Sequence, residues 1–585
     1  GFEESFKETG ALYQFYSLAA DLLSVAVLVG VSYFILRRFV LPNKRELTFH
    51  DNVLLHPKVK AGGIAQDSLI VATFILLHVG ARFLGEAVLI AQGGAPVWYM
   101  PFASLVAPLY SGMSPEYQEL LRHLFWWTAL GGILLFAPYF AQSKHAHLFM
   151  APLNYLTKPD KTSPGEMQPI NLEDESVEQF GVARFDDLPK TNIFDAYACI
   201  QCNRCQDVCP AYITGKELSP SALEINKRYL LRDNQAAYAD GAEMPFLLNM
   251  AISESAVWAC TSCGACIEVC PVGNEPMHDI LNIRRNQVLM ESSFPEELGA
   301  AFNGMERQGN PWNIGESRFR WANGLEFPVP TVDENPDFEI LYWVGCAASY
   351  DPRAQLTARA LVKVLHTAGV NFAVLGEREN CTGDVARRAG NEYLYQELAK
   401  TNVETLNEVK PPRIVVTCPH CLHNLGSEYH QFGGDYEVVH HTQLIEELIT
   451  AGRVPANAHP KQMPNVTFHD PCYLGRHNGV IEEPRNVLTA VGITPIEMPR
   501  TKDNSLCCGA GGAQFWKEEE HGTKAVNVER YEEAKHTGAD VVAVGCPFCM
   551  QMFESAKSEV SDGPVVKDIV EIIAEGLNVP SLSGD

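Results

Sequence analysis

The chain of 585 residues is too long for a single hydrophobic core, so its length predicts several domains. Its formal net charge of −26 and its lack of long lysine or arginine runs exclude the basic surface that a nucleic-acid partner requires. Its 17 cysteines are mostly clustered at short intervals, which excludes a secreted disulfide scaffold and favours metal binding in a reducing compartment.

The first quarter of the chain contains three apolar stretches of the length that a bilayer requires, about 20 residues. They lie at 13–36, 67–92 and 119–141. The apolar segment 95–113 is interrupted by three prolines, which favours a re-entrant or surface-lying loop. We therefore predict a transmembrane α-helical domain over 1–156, with three or more spans.

Positive charge is distributed unequally around these stretches. Segment 37–66 contains Arg37, Arg38, Lys44, Arg45, Lys58 and Lys60, whereas 93–121 contains no lysine or arginine. The positive-inside rule then places 37–66 in the cytoplasm, 93–118 outside, and everything after about residue 142 in the cytoplasm. This predicts a multi-pass protein of the cytoplasmic (inner) membrane whose cysteine-rich part is cytoplasmic.

Several histidines lie in or beside the predicted spans, where ionisable groups are candidates for function. His78 lies in the second span, His123 begins the third, and His145 and His147 follow it. From His123 to His147 a helix would extend about 36 Å, the thickness of a membrane. Two histidines at opposite ends of one span fit two stacked b-type haems, and each one alone is equally compatible with a surface role.

Two four-cysteine runs follow a Pro- and acid-rich linker at 157–190. They read "CIQCNRCQDVCP" at 199–210 and "CTSCGACIEVCP" at 260–271. Three thiolates at these gaps hold three corners of one iron–sulfur cube, and the fourth cysteine reaches the other cube; zinc instead prefers two CxxC pairs. We predict a helical two-cluster 4Fe–4S ferredoxin-type domain over 191–335. Its ligand sets are Cys199, Cys202, Cys205 and Cys270 for one cube, and Cys260, Cys263, Cys266 and Cys209 for the other.

From about residue 336 the same cysteine pattern occurs twice, each time after short β-branched runs. These runs are "EILYWV", "NFAVL" and "RIVVT" in the first copy, and "NVTFHD", "PIEMP" and "DVVAVG" in the second. The offsets between matching cysteines are 126, 126 and 128 residues, which indicates an internal duplication. We predict two α/β modules with parallel sheets, module one at 336–455 and module two at 456–585. The cysteines then follow the carboxyl ends of strands.

The cysteine pattern of module two resembles the cysteine-rich CCG module of heterodisulfide reductases and their relatives. The resemblance implies that five thiolates hold a non-cubane 4Fe–4S cluster as the reactive centre, with Gly509, Gly511 and Gly512 letting the backbone approach it. The five are Cys472, Cys507, Cys508, Cys546 and Cys549.

Module one carries Thr382 where module two has Cys508. Four thiols remain there, enough for an ordinary cube or a zinc ion, so we expect a relay or a structural remnant. They are Cys346, Cys381, Cys418 and Cys421. Six nearby histidines are candidates for lining the two sites, although a polar shell around a charged cofactor is an equal interpretation. They are His420, His423, His440, His441, His469 and His477.

Two further resemblances place these modules in a family. Over 191–575 the chain resembles the catalytic iron–sulfur subunit of membrane-bound heterodisulfide reductase, on the motifs "CPHCLHNLGSEYHQFGG", "FHDPCYLGRHNGV", "CCGAGG" and "CPFC". Segment 122–149 resembles the last helix of the haem-b subunit of respiratory nitrate reductases. That resemblance implies haem ligation by His123 and by His147, with His145 as its rival. The second ligand of each haem is expected from His78, from residues before Gly1, or from a partner chain.

The combination resembles the bacterial electron-transfer-flavoprotein:menaquinone oxidoreductases. It implies that a reduced cytoplasmic flavoprotein delivers electrons, which reach menaquinone through the clusters and one or two haems b. The chain has no convincing flavin-binding GxGxxG, so FAD is expected on the partner. Arg82, Glu86, His78 and the 95–113 loop are all candidates for the quinone site. Two alternatives are disulfide chemistry at the non-cubane cluster, and an electron-wire subunit of a larger respiratory or sulfur-metabolising complex with a further membrane subunit.

Overall fold

The computed structural model describes residues 10–41, 48–455 and 464–577. It divides into two compact units. Unit one consists of the described parts of Gly1–Phe49, Leu55–Leu153 and Tyr197–Asn203; unit two consists of the described parts of His50–Leu54, Asn154–Ala196 and Arg204–Asp585. Lys44 and Arg45 of the predicted cytoplasmic loop lie outside the described residues, as do 456–463 and 578–585 of predicted module two.

Unit one is built on three long helices, Ala11–Ile35, Gly63–Gly93 and Pro115–Gln142. The first continues through a π-helical turn at Leu36–Val40. All three are long and apolar enough to cross a membrane. Most of their side chains are not buried within the chain, which suits contact with lipid. The predicted apolar spans therefore correspond to helices in the structure.

The proline-interrupted segment of unit one forms two short helices, Pro101–Val106 and Pro108–Ser111. The buried carboxylate of Asp21, on the first long helix, accepts hydrogen bonds from the backbone N–H groups of Phe102 (2.7 Å) and Ala103 (3.0 Å). These donors belong to the first turn of a helix, where no backbone acceptor is available. Asp21 thus caps this helix and holds the segment against the first long helix.

The ferredoxin region of unit two is helical. Its longer helices begin at side-chain caps followed by proline or an acidic residue: Ser219 accepts from the N–H of Ala222 (3.1 Å) and Ser253 from that of Ala256 (3.3 Å). The helices are Lys190–Ala198, Arg204–Asp207, Pro210–Ile213, Pro220–Ala239, Glu254–Trp258, Ala265–Glu268, Pro276–Leu289 and Glu296–Gln308.

Each cysteine-rich module contains a parallel sheet, which confirms the prediction from the β-branched runs. Module one has four strands in the order β2-β1-β3-β4, and module two has three in the order β5-β6-β7. The strands are β1 Ile340–Trp343, β2 Phe372–Val374, β3 Ile414–Val416, β4 Val438–His440, β5 Val466–Phe468, β6 Val541–Val544 and β7 Val565–Asp568. The helices beside them are Pro352–Thr367, Glu392–Val409, His441–Thr450, Glu483–Ala490, Val526–His536, Pro547–Glu559 and Ile569–Gly576.

One predicted strand of module two is absent from its sheet. The run "PIEMP" at 495–499 makes only an isolated bridge between Ile496 and Thr467. Proline has no N–H to donate, so the prolines at both ends of this run prevent a longer ladder. The equivalent run in module one, "NFAVL", contains no proline and forms β2.

Part of the segment predicted as a linker is buried in unit two. The side chains of Ser163, Glu166 and Met167 are almost inaccessible. The carbonyl of Met167 accepts a hydrogen bond from Arg387 (3.0 Å), and that of Pro164 accepts one from Nε2 of His278 (2.9 Å). Residues 163–167 therefore pack against both the ferredoxin region and module one.

Candidate iron–sulfur centre

The five predicted thiols of module two lie together at the carboxyl end of its sheet. Cys472 begins a short helix (Cys472–Gly475) after β5, while Cys546 and Cys549 begin the helix after β6. The sulfurs of Cys472 and Cys507 are 3.9 Å apart. Side-chain contacts link the five buried thiols in the order Cys472, Cys507, Cys508, Cys549, Cys546. Loops from two strands and one connection thus converge on one sulfur-rich site.

The four thiols of module one are arranged in the same way. The sulfurs of Cys346 and Cys381 are 3.9 Å apart, and Cys418 contacts Cys421. All four are buried. The hydroxyl of Thr382 lies 4.0 Å from the sulfur of Cys421. Module one therefore has a hydroxyl where module two has its fifth thiol.

The cysteine loops share a backbone geometry that directs an N–H group at sulfur. In four of them the residue two positions after a cysteine has a positive φ, and its N–H lies 3.3–3.5 Å from that sulfur. The pairs are Gln201–Cys199, Ser262–Cys260, Gly383–Cys381 and Gly509–Cys507. Positive φ is unfavourable for glutamine and serine, so these loops retain strain that suits binding of an anionic sulfur.

The second ferredoxin loop packs against module two. Cys263 lies in one buried cluster with Cys472 and Cys507, and its thiol contacts that of Cys507. A Cβ atom at Gly511 would lie 2.4 Å from the carbonyl oxygen of Thr261, and one at Gly512 would lie 2.3 Å from that of Cys260. These two glycines therefore permit a close backbone approach to the ferredoxin loop, a role that the sequence did not predict for them.

Arg284 joins the ferredoxin region to both modules. Its buried guanidinium donates to the carbonyls of Val257, Trp258 and Cys260, to Arg388 in module one (3.0 Å), and to Gly512 in module two (2.8 Å). All of these acceptors are neutral carbonyls, so the chain places an uncompensated positive charge beside the loop of Cys260. Nothing in the sequence around "NIRRNQ" distinguished this arginine from a surface residue.

The two modules also meet through their cysteines. The thiol of Cys418 in module one contacts that of Cys546 in module two. The ring of His420 packs beside Phe548, with centroids 5.8 Å apart. Direct thiol contacts therefore connect the second ferredoxin loop to module two and module two to module one.

The second predicted ferredoxin ligand set is brought together within unit two. Burial raises the pKa of the Cys266 thiol most, and the neighbouring Cys260, Cys263 and Cys209 raise it further. Burial likewise raises the pKa of Cys260 to about 11, although Arg284 opposes this. Such a site does not favour thiolates unless a cation such as iron compensates their charge, so its donor chemistry fits a metal cluster.

The first predicted ferredoxin set is divided between the units. Cys199 and Cys202 lie in Tyr197–Asn203 of unit one, whereas Cys205 and Cys270 lie in unit two. The sulfur of Cys270 accepts a hydrogen bond from the N–H of Asn274 (3.2 Å). Assignment of these four residues to one cube continues to rest on their spacing in the sequence.

Three of the candidate histidines surround the buried ring of Tyr473. His420, His423 and His477 have ring centroids 4.0, 5.5 and 4.3 Å from it. Burial lowers the pKa of His420, but its 2.8 Å contact with Asp384 outweighs this and raises the pKa overall. Burial lowers the pKa of His477, whose Nε2–H donates to the carbonyl of Ser262 (3.1 Å). These rings form a polar shell between the sites.

The remaining three histidines lie at the strand ends. Nε2 of His440 donates to the carbonyl of Gly545 (3.0 Å), and Nε2 of His441 contacts the carboxylate of Asp568 (2.9 Å). His440 and His441 are thus engaged with protein groups of module two. A ring nitrogen of His469 and the sulfurs of Cys508 and Cys549 all lie within 4.8 Å of one another. His469 is therefore a close neighbour of the module-two thiols.

The candidate haem histidines lie in unit one. Nδ1 of His78 is 3.0 Å from the carbonyl of Ala129, and Nδ1 of His147 is 2.7 Å from that of Lys144. Nε2 of His123 is 3.0 Å from the carboxylate of Glu119. The rings of His145 and His147 have centroids 5.8 Å apart. None of these contacts joins His78 to His123.

Paired sulfur-rich modules beside a two-cluster ferredoxin loop define an iron–sulfur electron-transfer protein. Comparison with known families agrees. Residues 195–274 match the family described as "4Fe-4S dicluster domain", and residues 340–426 and 466–554 both match "Cysteine-rich domain". The predicted two-cluster region and the predicted duplication are therefore confirmed.

Three curated relatives extend this match. The chain is 34% identical to the "Probable iron-sulfur-binding oxidoreductase FadF" of Bacillus subtilis, over 97% of the chain and 84% of the relative. It is 36% identical to the "EtfAB:quinone oxidoreductase" of Syntrophomonas wolfei, over 81% and 70%. It is 30% identical to one subunit of the dihydromethanophenazine:CoB–CoM heterodisulfide reductase of Methanosarcina barkeri, over 67% and 96%. The chain belongs to this family of heterodisulfide-reductase-like iron–sulfur oxidoreductases.

Proposed function

We propose that the chain transfers electrons between a cytoplasmic flavoprotein and a membrane quinone. The observation that carries the proposal is the series of thiol contacts from Cys263 through module two to Cys418. The names of the relatives support both ends of the transfer, since one is an EtfAB:quinone oxidoreductase. The three long apolar helices of unit one supply the expected membrane part, with unit two on the cytoplasmic side.

We propose as cluster ligands the residues that the cysteine patterns predict. Clusters bound there would supply one-electron transfer. The five thiols of module two would hold the non-cubane cluster and the four of module one a further 4Fe–4S cluster. The polar shell of His420, His423 and His477 would keep water from these sulfurs, and Arg284 would balance negative charge at the Cys260 loop.

Haem b is proposed for unit one on the orientation of two histidines. A carbonyl oxygen only accepts, so Nδ1–H of both His78 and His147 must be the donor. This fixes Nε2 as the nitrogen available to iron, the arrangement typical of metal-binding histidines. His123 and His145 are the further candidates, and one or two haems would require additional ligands from elsewhere.

A cavity of about 930 Å³ in unit one is the candidate quinone site. Its lining includes Arg82 and Glu86 and the start of the 95–113 segment, which the sequence indicated, but not His78. Arg82 donates to the hydroxyl of Tyr16 at 3.2 Å. Polar groups among apolar walls suit a quinone, whose two carbonyls need hydrogen bonds and whose ring needs apolar contact.

The proposal is tested with membrane vesicles that contain the full chain. Reduced electron-transfer flavoprotein should drive reduction of a menaquinone analogue, and Arg82→Met should raise the quinone KM while iron content stays constant. Matched vesicles with the conservative Arg82→Lys provide the control. Haem reduction by thiols without flavoprotein would instead support disulfide chemistry, and inactivity with both donors would support a wire subunit.

A further inference from the structure

His469 is held rigidly beside the thiols of module two. It directly follows β5, and its backbone N–H donates to the carbonyl of Ala543 (2.9 Å) on the neighbouring strand. Its side chain is 0% exposed and packs on the ring of Phe553, with centroids 4.8 Å apart. The ring therefore cannot turn away from the sulfurs of Cys508 and Cys549 without disturbing the core.

Arg530 fixes the tautomer of this ring. Nε–H of the buried Arg530 side chain donates to Nδ1 of His469 at 3.1 Å. The guanidinium is itself anchored, because it donates to the carbonyl of Arg500 (2.8 Å) and contacts Glu533. An arginine N–H can only donate, so Nδ1 of His469 must be unprotonated. The neutral ring then carries its proton on Nε2.

The second ring nitrogen lacks a partner within the protein. Nε2 of His469 is buried and has no hydrogen-bond partner among residues 10–41, 48–455 and 464–577. A buried N–H without an acceptor is unfavourable, and such groups in native proteins call for an explanation. Because Nδ1 is already engaged by Arg530, Nε2 is the nitrogen available to the nearby sulfurs.

We propose that Nε2–H of His469 donates a hydrogen bond to sulfur at the module-two site and that His469 is a positioning residue, not an iron ligand. The inference rests on the proposed cluster in module two. Ligation would need a lone pair on Nε2, which the tautomer fixed by Arg530 does not provide. Module one has Trp343 at the equivalent position, so this histidine distinguishes the two sites.

An N–H···S hydrogen bond withdraws electron density from a cluster and raises its reduction potential. The full chain is therefore purified anaerobically as wild type, His469→Phe and His469→Gln, and titrated with a reductant while its EPR spectrum is recorded. The phenylalanine variant should keep its iron and sulfide content but show a lower midpoint potential for the module-two signal. Glutamine retains an N–H at a similar position, so His469→Gln should restore most of the shift.

A second measurement avoids substitution, in case the phenylalanine variant does not fold. Wild-type chain labelled with 15N-histidine is compared with unlabelled chain by pulsed EPR. A weak nitrogen coupling that changes with the label is the expected result. An unchanged midpoint potential in His469→Phe, or a strong coupling typical of directly bound nitrogen, would overturn the inference. If the wild-type chain lacks the module-two signal altogether, the proposed function fails together with the inference.

Discussion

Modules one and two share strand order and cysteine spacing but differ in the loop after their second cysteine. Module one reads "CTGDVA" at 381–386, and its residues after the glycine form the helix Asp384–Ala389. Module two reads "CCGAGG" at 507–512 and remains a loop that contacts the ferredoxin backbone. The first difference, Thr382 against Cys508, changes the number of sulfur ligands. The second, Val385 and Ala386 against two glycines, changes what the loop can approach.

The comparison shows how a duplicated module acquires a separate position in an electron-transfer chain. Gly511 and Gly512 bring module two next to Cys260 and Thr261, whereas the loop of module one is used differently. There, Asp384 contacts His420 and Arg388. The extra thiol and the close approach occur in the same six residues, so one short loop makes module two both the richer sulfur site and the neighbour of the ferredoxin thiols.

The largest expected effect follows from making module two resemble module one. Cys508→Thr removes the thiol that contacts both Cys507 and Cys549. We expect loss of the module-two EPR signal and loss of about 4 iron atoms per chain, since each cluster holds four. Iron content and EPR spectra of the anaerobically purified variant measure this. Retention of the wild-type spectrum would show that Cys508 is not a ligand.

A smaller but clear effect is expected when the close approach is blocked. Gly512→Ala places a methyl group 2.3 Å from the carbonyl of Cys260 at a φ of +63°. We expect it to lower the free energy of unfolding by roughly 2–4 kcal/mol, because the backbone must shift. Thermal unfolding measures this loss.

Gly538→Ala is the matched control, since Gly538 has a similar φ of +69° but open space around its Cβ position. Only the left-handed strain, roughly 1–2 kcal/mol, should remain there. Equal losses at the two positions would mean that the ferredoxin loop does not constrain Gly512.

The reverse substitution in module one should alter its spectrum with little effect on stability. Thr382→Cys puts a fifth sulfur near Cys421, where the hydroxyl now lies at 4.0 Å. We expect the module-one cluster signal to shift towards that of module two, while the other signals stay unchanged. EPR and iron analysis would record this, and Thr382→Ser serves as the control of similar size. An unaltered spectrum would show that ligand number alone does not set the cluster type.

The smallest expected effect is a pH dependence of stability at His278, which packs beside the buried segment 163–167. Burial, with a contribution from Lys161, lowers the pKa of His278 from 6.5 to about 3. The unfolded chain therefore binds a proton below about pH 6.5 that the folded chain does not, and stability falls as the pH decreases. Between pH 7.5 and 5.5 the loss should be about 1.4 kcal/mol. His278→Gln should lose less over that range; an equal loss would contradict the assignment.

Much of this molecule could be predicted from its sequence, because cysteine spacing and β-branched runs are strong local signals. The three apolar helices, the parallel sheets and the duplication were all evident there. The failure at "PIEMP" is also local, since its prolines cannot continue a strand.

The contacts made by Gly511, Gly512 and Arg284 were not predictable, because they join segments more than 200 residues apart. The burial of 163–167 was missed for the same reason: a Pro- and acid-rich composition describes a segment but not its neighbours. The tautomer of His469 likewise depends on Arg530, which lies 61 residues further along the chain.

The central claim is that two sulfur sites of different composition accompany a ferredoxin pair in one chain. Metal analysis with Mössbauer and EPR spectroscopy on the anaerobically purified full chain tests it most directly. The account predicts about 12–16 iron atoms in clusters, with a module-two spectrum unlike that of an ordinary cube. A colourless preparation, or one that contains zinc instead of iron, would contradict it.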